Sequence, residues 1–269
     1  MIAFVFLIFL FLLKDSLSLF GVYRLGAFLF GKNWLPVSEP AQFGIIPLLL
    51  GSVYVTVGAI IICVPFGVGS AMFIAEVAPS FLKHVLKSLV EILASIPSVV
   101  LGFIGIVWLG PHLKDALNLR TGMCGLTGSL LLAFMALPTI ISISEDALVS
   151  VPKSFKEAAF GLGATRWQAL WRIVLPSASS GIIAAVMLGI GRVIGETMVV
   201  MMVTGNAPVI PTSILQPLRT LTATIAGEMG ETVSGSEHYF ALFAVGLVLF
   251  IITFLINLSA DICLHKARR

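Results

Sequence analysis

The sequence predicts an all-α, polytopic membrane protein. Its 269 residues are 58% hydrophobic and only 11% charged, and the mean hydropathy is +1.09. A soluble domain carries about 25% charged residues. Several apolar runs approach the roughly 20 residues that a helix needs to cross about 30 Å of hydrocarbon. Because these runs are too long and continuous for the alternating strands of an outer-membrane β-barrel, we expect a bundle of transmembrane helices.

Six transmembrane helices are predicted. The first begins at Met1 with the run IAFVFLIFLFLL and must continue through SLSLF to reach the far side of the membrane. The other five are expected at about 45–64, 86–109, 123–143, 177–204 and 239–262. We accordingly divide the chain into a first helix with its outer loop, a transmembrane domain and a short C-terminal tail, at residues 1–43, 44–262 and 263–269.

The orientation of these helices follows from the lysines and arginines, which are enriched in cytoplasmic loops. One set of loops carries nine of them: Lys83, Lys87, Lys153, Lys156, Arg166, Arg172, Lys266, Arg268 and Arg269. The opposite set carries six: Lys14, Arg24, Lys32, Lys114, Arg120 and Arg219. The remaining one, Arg192, lies inside a predicted span. The excess predicts that the 144–175 loop and both termini are cytoplasmic.

Several classes of site are not indicated by the sequence. The three cysteines, Cys63, Cys124 and Cys263, lie in apolar runs without the spacing of a metal site, and we interpret them as packed hydrophobic residues. The four histidines are scattered. The net charge of +3 is too small to indicate nucleic-acid binding. A GxxxxGK[ST] phosphate-binding loop is missing from the sequence, so we expect no ATP bound by this chain in that manner.

One loop, at residues 150–176, has more local order than a plain connector. It reads SVPKSFKEAAFGLGATRWQALWRIVLP. Serine or threonine followed three residues later by glutamate or glutamine has the spacing of a capping box, and the loop has this spacing at Ser154 and again at Thr165. Gly161 and Gly163 between them permit a tight turn. We therefore predict two short helices joined by a glycine turn near the membrane surface.

Two functions are open for such a helix pair. Ala158 and Ala159 permit close approach of the backbone to a partner, as when a helix docks in a groove of another protein. Alternatively, Trp167 and Trp171 lie in the lipid headgroup layer, and the pair is an amphipathic interfacial element. Composition and spacing alone leave both interpretations open.

The order of residues in this loop resembles the EAA motif of permease subunits of bacterial ABC importers. The matching positions are Glu157, Ala158, Ala159, Gly163, Ile173, Leu175 and Pro176. The resemblance implies the type I ABC importer permease fold, and it implies that the 144–175 loop couples this chain to a cytoplasmic ATPase. It further implies that ATP and Mg²⁺ are bound by that partner. We therefore expect no cofactor in this chain and no enzymatic activity of its own.

A second feature is a pair of charges inside an apolar run. The stretch GIGRVIGETMVVMM, residues 189–202, holds Arg192 near the middle of the fifth predicted span and Glu196 four positions later. On a continuous helix, these two side chains lie on the same face, one turn apart. A charge at the centre of a membrane costs at least about 2.5–3.5 kcal/mol, so such residues normally face a cavity or the interior of a bundle.

The charge pair has a structural and a functional interpretation. It is either a salt bridge that fixes helix packing or an anion site. In the second case, the planar guanidinium of Arg192 binds a tetrahedral oxyanion, and Glu196 neutralises the guanidinium when the anion is absent. Gly189, Gly191 and Gly195 remove side-chain bulk from the same region, which favours the anion site.

The surrounding residues, GRVIGETMVVMMVTGNAP, resemble the signature of phosphate ABC importer permeases of the PstC type. IAEVAP, LASIPSVVLGFIG and LPTIISISEDALVSVP are similar to the same family, and the similarity covers roughly residues 44–262. The resemblance implies an alternating-access importer in the bacterial inner membrane, assembled in membrane lipid from a PstA-like permease, a PstB-like ATPase dimer and a PstS-like phosphate-binding protein. The residues it implies for the substrate pathway are Arg192, Gly195, Glu196 and Thr197.

Two alternatives differ from this hypothesis in substrate or in class. Sulfate and molybdate permeases have a similar Arg-x-x-Gly-Glu pattern, so the first alternative is a permease for another tetrahedral oxyanion. The second is an ion-coupled secondary carrier, which predicts inverted repeats or discontinuous helices in paired positions. No internal repeat is visible in the sequence, and a secondary carrier leaves the EAA loop unexplained.

Overall fold

The computed structural model describes the backbone of residues 2–267 and the side chains of residues 4–259. The described part is mainly helical, as predicted. In chain order its elements are α1 (Ile2–Phe20), α2 (Leu25–Phe30), β1 (Trp34–Leu35), β2 (Gln42–Phe43), α3 (Ile46–Met72), the π-helical turn π1 (Phe73–Val77), α4 (Ser80–Ala94), α5 (Ser98–Ile104), π2 (Gly105–Leu109), α6 (Gly110–Leu117), α7 (Gly125–Val149), α8 (Lys153–Gly161), α9 (Arg166–Ala169), π3 (Leu170–Val174), α10 (Leu175–Ser177), α11 (Ser179–Ile194), α12 (Met198–Val203), α13 (Leu221–Glu228) and α14 (Glu237–Ala267).

Four helical stretches within the described residues are long and apolar enough to cross a membrane: Ile46–Val77, Ser98–Leu117, Gly125–Val149 and Glu237–Ser259. A bent pair, Arg166–Ser177 and Ser179–Ile194, meets at 67° and makes a fifth if it is one span. The predicted count of six is therefore not confirmed. The helix α14 continues through Ala267, into the predicted tail, while the side chains of Cys263 and His265 lie outside the described residues.

The third span was predicted at residues 86–109, and this placement is wrong. The helix α4 ends at Ala94, and the next apolar helical stretch begins at Ser98 and ends at Leu117. Pro97 separates them, with an extended backbone at φ −61° and ψ 138°. Proline lacks an N–H group and disfavours helical geometry in the residue before it, so one helix ends and another begins at this point.

The fifth span was predicted as one helix over residues 177–204, and the structure divides it. Ala178 separates α10 from α11, and residues 195–197 separate α11 from α12. By contrast, α3 continues through Pro65 and ends only at Met72. A proline thus interrupts one apolar run of this chain and is accommodated in another.

Contacts within the chain divide it into two compact units, each described here by itself. The first comprises Met1–Ala59, Pro97–Leu132 and Ile194–Phe254. Its buried apolar cluster joins the short hairpin of β1 and β2 to helices α1, α2, α3 and α14. The members of this cluster include Leu19, Phe28, Trp34, Phe43, Leu48, Leu221, Leu242 and Val245.

A polar cluster accompanies this core, centred on the carboxylate of Glu228 at the end of α13. The indole N–H of Trp34 donates to Glu228 Oε2 over 3.0 Å. The guanidinium of Arg219 forms an ion pair with Oε1, and His238 Nε2 lies 2.8 Å from Oε2. Since Trp34 is only 1% exposed, this carboxylate satisfies a donor that is withdrawn from water.

The second unit comprises Ile60–Ile96, Ala133–Val193 and Leu255–Arg269. One apolar cluster joins the end of α3, the end of α7 and the segment from π3 to α11. Its buried members are Ala71, Leu148, Val151, Leu170, Val174 and Ala178. The second half of the 150–176 loop is therefore held in a shared core with the ends of two membrane helices.

Ion pairs join α4 to the end of α7 in the same unit. Glu145 is 3% exposed, and its two carboxylate oxygens lie 3.2 Å from the ammonium of Lys83 and 2.9 Å from that of Lys87. The hydrogen bond to Glu145 raises the pKa of Lys87, because the carboxylate stabilises the protonated amine. Two cations therefore compensate one buried carboxylate, as burial of a charge requires.

Candidate functional site

The 150–176 loop folds into two short helices joined by a glycine turn, as predicted. Gly163 has φ +84°, in the left-handed region that glycine enters without steric penalty. Thr165 and Gln168 form the predicted capping box: Gln168 N donates to Thr165 Oγ1 over 3.2 Å, and Thr165 N donates to Gln168 Oε1 over 2.9 Å. Gly161, by contrast, is the last residue of α8 and does not form the turn.

The capping box predicted for Ser154 and Glu157 is wrong. The helix α8 already begins at Lys153, and Pro152 precedes it at the N-cap, with φ −56° and ψ 133° and no side-chain capping bond. Proline brings a φ angle that suits the entry to a helix. The helix therefore starts two residues earlier than the pattern predicts, and Ser154 lies inside its first turn.

The structure places the EAA residues in two groups. Glu157, Ala158 and Ala159 are consecutive in α8, and of these only Ala159 is buried. Ile173 lies in π3, while Leu175 and Pro176 form the start of α10. Gly163 stands between the groups, and a Cβ atom added there would meet nothing within 4 Å.

Exposed apolar side chains surround the α8 turn. Phe155 and Phe160 on α8 are about half exposed, and Leu162 beside the turn is 90% exposed. The rings of Trp167 and Trp171 pack edge to face on each other, with centroids 5.6 Å apart. A concentrated apolar surface of this kind marks a contact with a protein partner or a membrane.

Arg192 lies on α11, where its Nη1 donates a hydrogen bond to Thr139 Oγ1 on α7 over 3.1 Å. Close packing of α7 and α11 sets this pairing. A Cβ atom on Gly189 would lie 2.7 Å from Ile140 Cγ1, and one on Gly181 would lie 2.4 Å from the Ala147 side chain. Gly189 is therefore required for helix packing, which differs from the open space that we inferred from the sequence.

Glu196 does not share a helix with Arg192, so the predicted stacking of the two side chains on one helical face is wrong. The helix α11 ends at Ile194. Met198 N and Val199 N donate to Glu196 Oε1 over 3.0 and 3.2 Å. In a continuous helix, these N–H groups would donate to the carbonyls of residues 194 and 195. The carboxylate of Glu196 takes their place and caps α12, where the N-terminal helix dipole favours a negative charge.

Gly195 and Thr197 complete this break between the helices. Thr197 is the N-cap residue of α12, and its hydroxyl donates to the Gly195 carbonyl over 3.4 Å. The Thr222 hydroxyl donates to the Glu196 carbonyl over 2.9 Å. The four candidate residues of the substrate pathway are thus the end of α11 and the capped start of α12.

Ligands for a metal ion are not grouped in the part of the chain whose residues are described: no set of three or more His, Cys, Asp or Glu side chains converges there. Cys63 and Cys124 are buried free thiols. The polar groups of the site are a guanidinium, a carboxylate, hydroxyls and backbone groups, and of these the guanidinium can bind an anion.

The comparisons with known proteins show the family to which the chain belongs. Residues 63–269 match the family described as the inner membrane component of binding-protein-dependent transport systems. The chain belongs to this family. Among the curated members similar to it, a probable ABC transporter permease protein YqgH of Bacillus subtilis strain 168 is 42% identical, over 85% of this chain and 74% of its own length. The phosphate transport system permease protein PstC of Mesorhizobium japonicum is 40% identical, over 90% of this chain and 78% of its own length.

Solved transporters of known fold are also similar to this permease family member. A chain of the MetNI methionine ABC transporter in an inward facing conformation aligns with a TM-score of 0.64 at 20% identity, covering 87% of this chain and 100% of that chain. A chain of a bacterial ABC transporter that imports the acidic polysaccharide alginate aligns at 0.62 and 16% identity, covering 96% and 93%. These likenesses show that the chain has the fold of an ABC transporter subunit.

Sequence reasoning missed the polar contacts of Arg192 with Thr139, of Glu145 with two lysines, and of Glu76 with Lys156. Thr139 follows Pro138 in an apolar run. A hydroxyl beside a proline in such a run was the one local sign that this position takes part in a polar contact. Glu145 and its two lysines lie far apart in the sequence, as do Glu76 and Lys156. No local pattern predicts such pairs, because each is formed by the packing of helices that are distant along the chain.

Proposed function

We propose that the chain is a permease subunit of an ATP-driven importer that carries inorganic phosphate across the bacterial cytoplasmic membrane. The observation that carries the proposal is the similarity to phosphate transport system permease proteins PstC, which reaches 40% identity over 90% of the chain. Membership of a binding-protein-dependent family supports delivery of the substrate by a separate binding protein. The chain is then a transport subunit and not itself an enzyme.

The proposed complex contains a PstA-like permease beside this chain, a PstB-like ATPase dimer and a PstS-like binding protein. The ATPase binds ATP and Mg²⁺ and docks on the exposed surface of α8, which presents Glu157 and Ala158. The binding protein delivers phosphate to the outer loops, near residues 21–43 and 205–238. Docking of the ATPase is supported by the exposure of Glu157 and Ala158 on α8 and by the apolar side chains around them.

We place six helices in the membrane, in a type I importer arrangement with both termini in the cytoplasm. They are α1, α3 with π1, α5 to α6, α7, α11 with α12, and α14. The helix α1 has 19 residues, which corresponds to about 28 Å at 1.5 Å per residue. The excess of lysine and arginine in the loops on the side of α8 supports this orientation.

In the proposed mechanism, Arg192 provides the counter-charge for phosphate as it passes. Its guanidinium offers up to five N–H donors, and one from Nη1 is donated to Thr139. The remaining donors are free to form two parallel hydrogen bonds with a tetrahedral oxyanion. Glu196 has a different role from the one inferred from the sequence, because its carboxylate stabilises the break before α12.

Uptake of labelled phosphate tests the proposal. Cells that lack this chain are compared with the same cells given the wild-type chain or Arg192→Gln, with excess sulfate or molybdate as competitor. We expect the wild type to restore uptake, only unlabelled phosphate to compete, and Arg192→Gln to lose uptake. Arg120→Gln, which removes an exposed arginine elsewhere, serves as the matched control and should retain it.

Each result of this assay separates the proposal from its alternatives. Competition by sulfate or molybdate would support the ATP-driven transporter but show that its substrate is another oxyanion. Normal uptake by Arg192→Gln would remove Arg192 from the pathway. Uptake that persists after loss of the partner ATPase would favour an ion-coupled carrier.

A further inference from the structure

The helix α8 is joined to the rest of its unit by few side chains. Among its nine residues, all of which the structure describes, Ala159 is the only buried one. Its one salt bridge among the described side chains links the ammonium of Lys156 to the carboxylate of Glu76. The helix therefore depends on one small apolar contact and one ion pair for much of its attachment.

The position of Glu76 gives this ion pair a mechanical significance. Glu76 lies in π1, the turn that ends the membrane-spanning stretch Ile46–Val77. The two paired residues are eighty positions apart in the sequence. The ion pair thus joins the EAA loop directly to the end of a span that is not its sequence neighbour. Insertions of π geometry into helices occur frequently at functional positions.

A cavity of about 460 Å³ lies beside the ion pair. Glu76 and Val77 of π1 line one part of it, Lys156 and Phe160 of α8 another, and residues of α9 and π3 complete it. Side chains therefore do not fill the space between π1 and the loop helices. A displacement of α8 meets little apolar packing in this direction, and the ion pair is the polar contact that resists it.

We propose that the Lys156–Glu76 ion pair transmits the displacement of α8 to the span Ile46–Val77 during the transport cycle. Both are positioning residues: neither is assigned a contact with phosphate or nucleotide. The inference rests on the proposed function in one respect, namely that α8 receives the movement of a partner ATPase. The side chains of Lys156 and Glu76 are 24% and 17% exposed, so both charges retain contact with water and the loss of one partner does not leave the other fully buried. Loss of the pair should thus change coupling before it changes assembly.

A charge exchange tests the inference in the complete complex, reconstituted in vesicles with its second permease, ATPase and binding protein. The variants are Lys156→Glu, Glu76→Lys and the double exchange. The measured quantities are phosphate transported per ATP hydrolysed and the amount of ATPase that co-purifies. We expect each single variant to lower the transport ratio several-fold with ATPase binding unchanged, and the double exchange to restore most of it.

Two further variants serve as controls. Lys114→Glu makes the same change of charge at an exposed lysine on α6, outside α8, and should leave the transport ratio near that of the wild type. Lys156→Arg keeps a cation that can pair with Glu76, and it should also retain coupling. If a charge reversal reduces the yield of the complex, Lys156→Arg and the double exchange still provide the comparison.

The outcomes distinguish this inference from the proposed function. A double exchange as impaired as the single variants would overturn the ion pair as a link and would indicate that Lys156 or Glu76 contacts another subunit. Single variants with normal ratios would overturn it equally. If the wild-type complex moves sulfate or molybdate and not phosphate, the substrate proposal fails. The same exchange, measured with that anion, then decides the inference.

Discussion

The guanidinium of Arg192 donates a hydrogen bond to the hydroxyl of Thr139, with Nη1 and Oγ1 3.1 Å apart. This contact joins α11 to α7 three residues beyond the point where Gly189 packs on Ile140. Helices in membranes associate through small residues that permit close backbone approach. Packing at Gly189 therefore determines where the guanidinium lies, and Thr139 determines how it is turned.

Thr139→Val should weaken phosphate transport through Arg192, because valine keeps the shape of threonine and removes the hydrogen-bond acceptor. A hydrogen bond to a charged group contributes about 1.5–3 kcal/mol, less where water competes, so we expect a KM for uptake raised by about tenfold with a smaller change in maximal rate. Thr139→Ser retains the hydroxyl and should restore the KM. Equal KM values for the valine and serine variants would remove Thr139 from this role.

Glu196→Ala should destabilise the start of α12, because Met198 N and Val199 N lose their shared acceptor. Loss of a helix cap costs about 1 kcal/mol, which thermal unfolding of the purified complex can detect. Glu196→Gln keeps an acceptor oxygen and should be milder. Glu231→Ala, at an exposed glutamate, is the control. A glutamine variant as damaging as alanine would show that the negative charge itself is needed.

Gly163→Val should weaken binding of the partner ATPase. Gly163 has φ +84°, a conformation that costs a β-branched residue on the order of 1–2 kcal/mol, although space for the side chain is open. Gly163→Asn tolerates that backbone and should retain binding. Co-purification of the ATPase with each variant measures the effect. Because Gly161 lies in α8 with open space around it, Gly161→Ala should have no effect.

Gly189→Ala should destabilise the packing of α11 on α7. The new Cβ would approach Ile140 to 2.7 Å, and overpacking of this kind costs about 1–3 kcal/mol. Gly191→Ala, two residues later, would place its Cβ 3.8 Å from Asn257 in ordinary contact and should be tolerated. The melting temperatures of the two variants give the comparison. Equal melting temperatures would mean that the helices separate without cost.

Glu228→Ala should destabilise the first unit, because it leaves the buried Trp34 indole N–H and the Arg219 guanidinium without their acceptor. Truncation of one partner in a largely buried polar cluster costs about 2–3 kcal/mol. Glu231→Ala again serves as the exposed control. Thermal unfolding of the purified chain checks the difference, and similar unfolding temperatures would contradict it.

The features that the sequence predicts correctly are local. Hydropathy predicted the helical membrane class, and the spacing of Thr165 and Gln168 predicted a capping box that the structure contains. Hydropathy depends on a continuous run of about 20 residues, and the capping box on residues three positions apart. The helix break at Pro97 is also local, yet the sequence did not predict it. Pro65 lies inside a continuous helix, and composition alone does not distinguish a proline that ends a helix from one that the helix accommodates.

The error at Glu196 has a different cause. Periodicity assumes that every backbone N–H in an apolar run is satisfied by a carbonyl four residues earlier. The carboxylate of Glu196 competes for two of those groups and ends the helix. Likewise, the pairs of Glu145 with Lys87 and of Glu76 with Lys156 depend on the three-dimensional neighbours of each residue. A single sequence contains no record of those neighbours.

The sparse attachment of α8 has a consequence for how such importers diversify. Since only Ala159 of this helix is buried, almost every residue on it is free to change without disturbing an interior. The exposed residues of α8 that face the ATPase can therefore evolve at a different rate from the residues of the transmembrane helices. Replacement of α8, between Pro152 and Gly163, by the corresponding helix of another importer should allow the permease to bind a different ATPase. Lys156, which pairs with Glu76, must be kept in the replacement.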